Sequence, residues 1–212
     1  MPPQRWLSIN SLKRRKNWAL ATELAGVTAI LDACVIYPAP MRDLLIRLSQ
    51  AGLFRARWTH AIHEEWIRNL LINRPDLSRI NLERTRDLMV EHIMNSLISG
   101  YEEIIPTLDL PDTNDRHVLA AAVHAKADLI VTVNQKDFPE SVLANYQIQA
   151  VHPDQFVCDL LVQNPELVCG VVRSQRNSLR DPPRTVGEFL KTLSNVGLRN
   201  TAIGLQGLVD NL

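Results

Sequence analysis

Short apolar runs of strand length alternate with helix-length segments along most of the chain. Residues 27–31 and 129–133 are mostly apolar and include β-branched side chains, residues 53–58 alternate apolar and basic side chains, and residues 148–151 form a further short run. Parallel strands need long crossover connections, which are usually helices. This alternation therefore predicts an α/β fold with a parallel sheet covered on both faces.

Apolar residues at helical spacing occupy the segments between these strands. Predicted helices cover residues 41–50, 59–74, 77–95, 139–146 and 153–162, and another opens at residues 112–115. After residue 164 only helices are predicted, with a break at residues 181–183 and Thr185 as the next N-cap. We therefore divide the chain into an N-terminal extension (residues 1–26), an α/β domain (residues 27–156) and a helical C-terminal region (residues 157–212).

Composition argues against several classes of protein. The chain has 23 basic and 23 acidic residues, and this balance does not fit a globally basic nucleic-acid coat or a polybasic membrane binder. No apolar run approaches the ~18 residues that span a bilayer. The three cysteines form no CxxC pair, so neither a disulfide framework nor a zinc cluster is implied. These features predict a cytoplasmic protein with no membrane partner.

The N-terminal extension carries a basic cluster at residues 13–16. Glu23 and Asp32 interrupt the apolar residues that follow, so the segment does not fit a secretory signal. A nucleic-acid-binding arm, an amphipathic helix and an upstream start codon are the open interpretations.

Three aspartates stand where a ligand site of an α/β sheet is expected. Asp32 directly follows the first strand, and Asp137 lies four residues after the strand at 129–133. Asp115 shares the apolar face of its helix with Val118 and Leu119. Ligands bind at the carboxyl ends of parallel strands, so these acids are candidates for a cation site. A capping or turn role is the alternative for Asp32, and a solvated surface position is the alternative for Asp137.

Other acidic and polar residues nearby are less decisive. Glu64 and Glu65 flank the apolar arc of their helix from opposite sides, so the helical wheel does not choose between them. Asp112 fits a helix cap, and Asn134 fits either a neutral oxygen ligand or a turn residue. The chain has no phosphate-binding glycine loop, no HExxH and no GxSxG. Competing catalytic motifs are therefore missing from the sequence.

Four segments together resemble the PIN-domain ribonucleases, and specifically the VapC-like toxins of bacterial toxin–antitoxin pairs. They are LDACVIYPAP, LFRARW followed by HEEW, LPDTNDRHVLAAA and IVTVNQKDFP, in the family's order and roughly at its spacing. The resemblance covers about residues 27–156 and implies a central parallel sheet between helices. Residues 181–212 also look like the helical C-terminal region of a longer subgroup of these toxins.

The resemblance assigns roles to particular residues. Asp32, Glu65, Asp115 and Asp137 match the family's acids, which implies catalytic and metal-binding roles for all four. Two supporting positions depart from the family pattern. Cys34 stands where Asn, Ser or Thr is common, so we expect a weakened or absent hydrogen bond to the first acid. Asn134 occupies a slot that often holds an acid, which leaves open whether Asn134 or Asp137 completes the site.

The implied activity is endonucleolytic hydrolysis of RNA. Carboxylate oxygens favour Mg²⁺ or Mn²⁺ over zinc, and a metal-bound water can attack a phosphodiester. Cations are needed to draw RNA toward such acids, and the candidates are Arg55, Arg57, Arg68 and Arg116. The expected partners are RNA, a cognate antitoxin protein and a second copy of the chain. A housekeeping RNA-processing nuclease and an inactive PIN binding scaffold are the alternatives.

Overall fold

The computed structural model describes residues 26–208 and residue 212. Its sheet has five parallel strands in the order β3-β2-β1-β4-β5. The strands are β1 (Thr28–Leu31), β2 (Arg55–Thr59), β3 (Leu97–Ile98), β4 (Leu129–Val131) and β5 (Gln149–Val151). The predicted parallel α/β architecture is confirmed. Apart from Gly26, the predicted N-terminal extension lies outside the described residues.

Helices connect the strands and continue beyond the last one. Within the described residues they are α1 (Ala33–Ile36), α2 (Ala39–Gln50), α3 (His60–Asn73), α4 (Arg79–His92), α5 (Arg116–His124), α6 (Glu140–Leu143), α7 (Pro153–Gln163), α8 (Pro165–Ser178), α9 (Val186–Asn195) and α10 (Arg199–Gln206). Short 3₁₀ turns occupy residues 102–107, 113–115, 135–137 and 144–146. No helix in the described part of the chain is long and apolar enough to cross a bilayer.

Two elements were not predicted because their sequence signals are short. The helix α1 is a single turn that begins directly after Asp32 and ends before Pro38. The strand β3 has only two residues, too few to show an alternating pattern. Pro40 lies in the first turn of α2. Proline is tolerated there because the first backbone N–H groups of a helix have no partner within it.

The central strands are buried from both sides. All four residues of β1 and all three residues of β4 are buried, as expected for a parallel sheet between helices. The helix α5 buries five consecutive residues, Val118 to Ala122, and its three alanines permit a close approach to the sheet. Each fully buried large aliphatic or aromatic side chain contributes about 1.5–3 kcal/mol to folding. The core therefore holds the ends of β1 and β4 in a defined position.

The register of the sheet places the ends of β1 and β4 side by side. Leu31 pairs with Val131, and the backbone N–H of Asp32 donates to the carbonyl of Val131 at 3.2 Å. The residues that follow these strands, Asp32 and Thr132, are therefore neighbours although they are 100 positions apart. This edge is the carboxyl end of the parallel sheet, where ligand sites of open α/β folds are found.

The C-terminal helices pack directly onto the α/β domain. Phe156 on α7 meets Phe54 edge-on, with ring centroids 4.9 Å apart. On α8, the Gln175 side chain donates to the carbonyl of Pro40 at 2.9 Å. The predicted domain boundary between residues 156 and 157 falls inside the continuous helix α7. Packing joins the α/β domain to the helical region. The division of the chain into these two parts therefore stays a prediction.

A buried aspartate holds the last helix in place. Asp154, at the start of α7, is 5% exposed. Its carboxylate accepts hydrogen bonds from the backbone and side chain of both Asn200 and Thr201, at 2.8–2.9 Å. These residues form the first turn of α10, where the helix dipole favours a negative charge. The Asp154 carboxylate therefore links α7 to the N-terminus of α10.

Removing this link is expected to destabilise the protein. Asp154→Ala leaves four donors without their acceptor, and we expect the free energy of unfolding to fall by about 2–4 kcal/mol. Urea titrations followed by circular dichroism measure this change. The matched control is Glu166→Ala, an exposed acid in the first turn of α8, for which we expect a change within ~0.5 kcal/mol. Equal losses in both variants would contradict the proposed link.

Candidate active site

The carboxyl group of Asp32 is the most buried acid at this edge of the sheet. Its side chain caps α1, since Oδ1 accepts from the backbone N–H of Ala33 at 2.6 Å. Oδ2 accepts from the Thr132 hydroxyl at 2.7 Å and from the Cys34 thiol at 3.1 Å. Three donors from two neighbouring strand ends thus fix the orientation of this group.

Burial dominates the electrostatics of Asp32. Desolvation raises the pKa of its carboxyl, and the charge of Glu65 raises it further. The hydrogen bonds from Thr132, Cys34 and Ala33 lower the pKa but do not cancel the effect of burial. A carboxylate at this position is therefore short of compensating positive charge.

Thr132 was not singled out from the sequence, although a signal was present. It is the polar residue within the apolar run at residues 129–133, and it directly follows β4. Its hydroxyl donates to Asp32 and accepts from the backbone N–H of Asn134 at 3.0 Å. A buried hydroxyl needs such partners. The hydroxyl thus connects the carboxyl of Asp32 to the loop that follows β4.

The expectation for Cys34 was partly wrong. We expected a weakened or absent hydrogen bond at this position, but the Cys34 thiol donates to Asp32 and also accepts from the backbone N–H of Val133 at 3.4 Å. Burial and the nearby Asp32 charge raise the pKa of Cys34 to about 12. The thiol therefore stays protonated at neutral pH, as a hydrogen-bond donor and not as a metal-binding thiolate.

The structure separates Glu64 from Glu65. Glu64 points to the surface and accepts from both terminal nitrogens of Arg79, at 2.6 and 3.2 Å. Arg79 also lowers the pKa of Glu64. Glu65 instead contributes its charge to the site, since it raises the pKa of both Asp32 and Asp115. Glu64 thus interacts with Arg79 at the surface, whereas Glu65 interacts with the other acids.

Packing around Trp66 fixes the rotation of α3. Trp66 is fully buried, and its indole N–H donates to Nδ1 of His63 at 3.0 Å. The Arg42 guanidinium lies over the Trp66 ring, 4.9 Å from the ring centroid, and donates to the carbonyl of Ile36 at the end of α1. Arg42 therefore connects the helix that starts at Asp32 with the helix that carries Glu65.

Asp115 lies where the other acids converge. It ends the 3₁₀ turn that leads into α5, and it is half-buried. Burial raises its pKa to about 6, and the charges of Asp32, Asp112, Asp137 and Glu65 add to this effect. Asp32, Glu65 and Asp137 are therefore close enough to Asp115 for their charges to disfavour its ionised form.

The remaining polar candidates take supporting positions. Asp137 is half-buried at the end of the 3₁₀ turn after β4, and its charge reaches Asp115. Asn134 is exposed and bonds to Thr132 through its backbone. The side chain of Asp112 accepts from the backbone N–H of Asn114 at 2.8 Å, which confirms the predicted cap. The charge of Asp137 therefore acts on Asp115, whereas the hydrogen bond of Asn134 near the site is made by its backbone.

The four predicted RNA-contacting arginines are not equivalent. Arg55 begins β2 and donates to Thr28 and to the carbonyl of Gly26, so it lies at the amino edge, away from the acids. Arg57 reaches the carbonyl of Met94 beside β3, and Arg68 is exposed on α3. Arg116 directly follows Asp115 and pairs with Asp109 at 3.2 Å. The position of Arg55 does not support contact with RNA at this site.

The donor set fits a hard cation in its chemistry. The groups that converge are carboxylate oxygens, which Mg²⁺ and Mn²⁺ prefer. Within residues 26–208, no group of three His, Cys, Asp or Glu side chains is placed to hold a metal ion. The acids therefore interact through their charges, and we refer to the region around Asp32, Glu65, Asp115 and Asp137 as the cleft.

Comparisons with known proteins agree with this architecture. The PIN domain family model matches residues 28–136, just over half of the chain, and the VapC50 C-terminal domain model matches residues 153–207. The Mycobacterium tuberculosis protein named "Putative ribonuclease VapC50" is 42% identical over 94 residues. That match covers 44% of this chain and 55% of the relative's own length.

No solved structure matches the chain significantly. The family assignment therefore depends on the sequence match and on the parallel sheet with acids at its carboxyl edge. The chain belongs to the PIN domain family.

Proposed function

We propose that this protein is a metal-dependent endoribonuclease and the toxin of a toxin–antitoxin pair. The observation that carries the proposal is that burial and the charges of Asp32, Asp137 and Glu65 raise the pKa of Asp115 to about 6 at the carboxyl edge of a PIN domain. The name of the M. tuberculosis relative, which describes a ribonuclease, supports the same activity. Retention of all four acids argues against an inactive scaffold.

Mg²⁺ or Mn²⁺ is the proposed cofactor. Asp32 and Asp115 are the proposed direct ligands, and Glu65 and Asp137 complete the site directly or through water. The bound cation supplies a more acidic water and stabilises charge on the phosphate and the leaving oxygen. It also relieves the mutual repulsion of the acids, which is the physical reason for this donor set to take a cation.

The protein's own groups orient the reaction. The donors around Asp32 hold one ligand rigidly, which limits reorganisation during the reaction. In this proposal Glu65 orients the attacking water or accepts its proton. Arg116, Arg68 and Arg57 are the proposed cations for the RNA backbone near the cleft. Single-stranded or looped RNA fits best because its bonds are unstacked and accessible, and the products carry a 5′-phosphate and a 3′-hydroxyl.

The toxin role and its setting belong to the same proposal. In the cytoplasm, a cognate antitoxin protein binds the nuclease and keeps it inactive until the nuclease is released. The support is the match of the C-terminal helices to the VapC50 C-terminal domain together with the identity to the M. tuberculosis relative.

Adjacent glutamates provide a matched test of the active site. Glu65→Gln should reduce Mn²⁺-dependent RNA cleavage by about 100-fold, because a group that acts on the transition state in a desolvated site contributes ~2.7 kcal/mol or more. Glu64→Gln should leave cleavage near wild type, since Glu64 pairs with Arg79 at the surface. Rates are measured on a labelled single-stranded RNA.

Circular dichroism must show that both glutamine variants are folded. A large loss of cleavage in Glu64→Gln, with Glu65→Gln active, would reverse the assignment of the two residues. Equal activity of all three proteins would remove Glu65 from the site.

The raised pKa of Asp115 predicts a trade-off between stability and metal binding. The folded pKa of about 6 exceeds the unfolded value of 3.8, so in the metal-free protein this acid's contribution to stability is present below pH 4 and is lost as the pH rises through 6. Asp115→Asn should therefore melt at a higher temperature than wild type at pH 8 without metal, and the difference should vanish near pH 4.

Adding Mn²⁺ at pH 8 should reverse this order. Wild type gains stability from a ligand that binds only the folded state, whereas Asp115→Asn and Asp32→Asn should gain little. Differential scanning calorimetry with and without Mn²⁺ measures both effects. Equal metal-induced shifts in wild type and Asp32→Asn would rule out the proposed metal site.

The toxin role is tested in cells. Expression of the wild-type chain alone should arrest bacterial growth, and co-expression of the adjacent small gene should restore it. The Asp115→Asn variant should be harmless at the same expression level. If wild type and Asp115→Asn affect growth equally while purified wild type still cleaves RNA, the toxin role fails and a housekeeping nuclease is favoured.

A further inference from the structure

His117 makes a contact with Glu65 that the proposed function does not use. Nε2 of His117 lies 3.5 Å from Oε2 of Glu65, a polar contact that is longer than an ordinary N–H···O hydrogen bond. His117 is the second residue of α5, two positions after Asp115. The contact therefore joins α3 and α5, the two helices that bring Glu65 and Asp115 to the cleft.

Both side chains in this contact are partly shielded from water. The side chain of His117 is 19% exposed and that of Glu65 is 31% exposed. Nδ1 of His117 is buried and has no hydrogen-bond partner among the described residues. Within residues 26–208, the contact between Nε2 and Glu65 is thus the one polar interaction of the His117 ring.

The surroundings of Glu65 offer it no other anchor. Its neighbour Glu64 forms an ion pair with Arg79. Apart from His117, no side chain within residues 26–208 pairs with the Glu65 carboxylate. A glutamate side chain has three rotatable bonds and loses much conformational freedom when it is held in one place. A polar group from α5 this close to the carboxylate restricts the positions that the Glu65 side chain can take.

We propose that His117 is a positioning residue that holds the Glu65 carboxylate in the cleft. In this role Nε2 carries the proton, and its N–H closes on Oε2 from the present 3.5 Å and directs the carboxylate toward Asp32 and Asp115. This inference deepens the proposed nuclease function and rests on it. Partners that orient a metal-site group change activity or metal affinity by about 10–100-fold when they are lost.

Two conservative substitutions of His117 distinguish the effect of the contact with Glu65 from the effect of the size of the ring. The amide nitrogen of glutamine is about as far from Cβ as Nε2 of histidine, whereas that of asparagine matches Nδ1. His117→Gln should therefore keep the donor toward Glu65, and His117→Asn should lose it. We expect kcat to fall at least ~10-fold in His117→Asn, with KM for RNA nearly unchanged, while His117→Gln keeps most of the activity.

Metal binding provides a readout that does not depend on turnover. The rise in melting temperature caused by Mn²⁺ alone should be smaller in His117→Asn than in wild type, and His117→Gln should restore it. Circular dichroism must show both variants folded. Nitrogen-15 NMR of the folded, metal-free wild-type protein should also show the proton on Nε2 of His117, with a chemical shift that changes in Glu65→Gln.

A double variant tests whether His117 acts through Glu65. His117→Asn combined with Glu65→Gln should be no slower than Glu65→Gln alone, because the positioned group is already gone. Additive losses of cleavage rate in the double variant would overturn the positioning role, as would equal losses in His117→Asn and His117→Gln. Cleavage by the wild-type protein would still support the nuclease function in either case. A folded wild-type protein that cleaves no RNA would overturn the proposed function and this role with it.

Discussion

The active-site edge depends on the hydrogen bond between Thr132 and Asp32. It joins the two residues that follow the central strands β1 and β4, and it holds an acid that burial alone would leave uncompensated. The carboxyl of Asp32 also caps α1, so the direction of the chain after β1 is set by the same group. The same hydrogen bonds thus fix both the Asp32 carboxyl and the backbone that follows β1. A scaffold that holds a functional group in this way leaves it little freedom to move.

Further contacts hold the helices around the sheet together. Arg42 ties the end of α1 to Trp66, one residue after Glu65. The C-terminal helix α8 holds the first turn of α2 through Gln175, and Asp154 secures α10 against α7. The last two contacts lie away from the acids. The match of residues 153–207 to a separate family model therefore marks a region that packs as part of the same body.

The acids themselves oppose folding in the absence of a counter-charge. Asp115 shows this most directly, since burial and four neighbouring carboxylates raise its pKa to about 6. Functional sites often retain such unfavourable interactions, and the rest of the fold must offset them. Here the buried sheet and the small residues of α5 provide that stability. A cation is the species that would turn this repulsion into binding energy, which connects the electrostatics of the cleft with the proposed chemistry.

The sequence alone determined the α/β architecture and the acids at strand and helix ends, because periodicity and burial are visible within a single element. It located Asp32, Asp115 and Asp137, whereas the helical wheel left Glu64 and Glu65 equivalent and only the family resemblance favoured Glu65. Only the tertiary structure shows that the two glutamates have different surroundings, because Arg79 on the next helix pairs with Glu64 while the charge of Glu65 acts on Asp115. The pairing of Thr132 with Asp32 likewise depends on the register between β1 and β4, which join residues 100 positions apart and leave no local pattern.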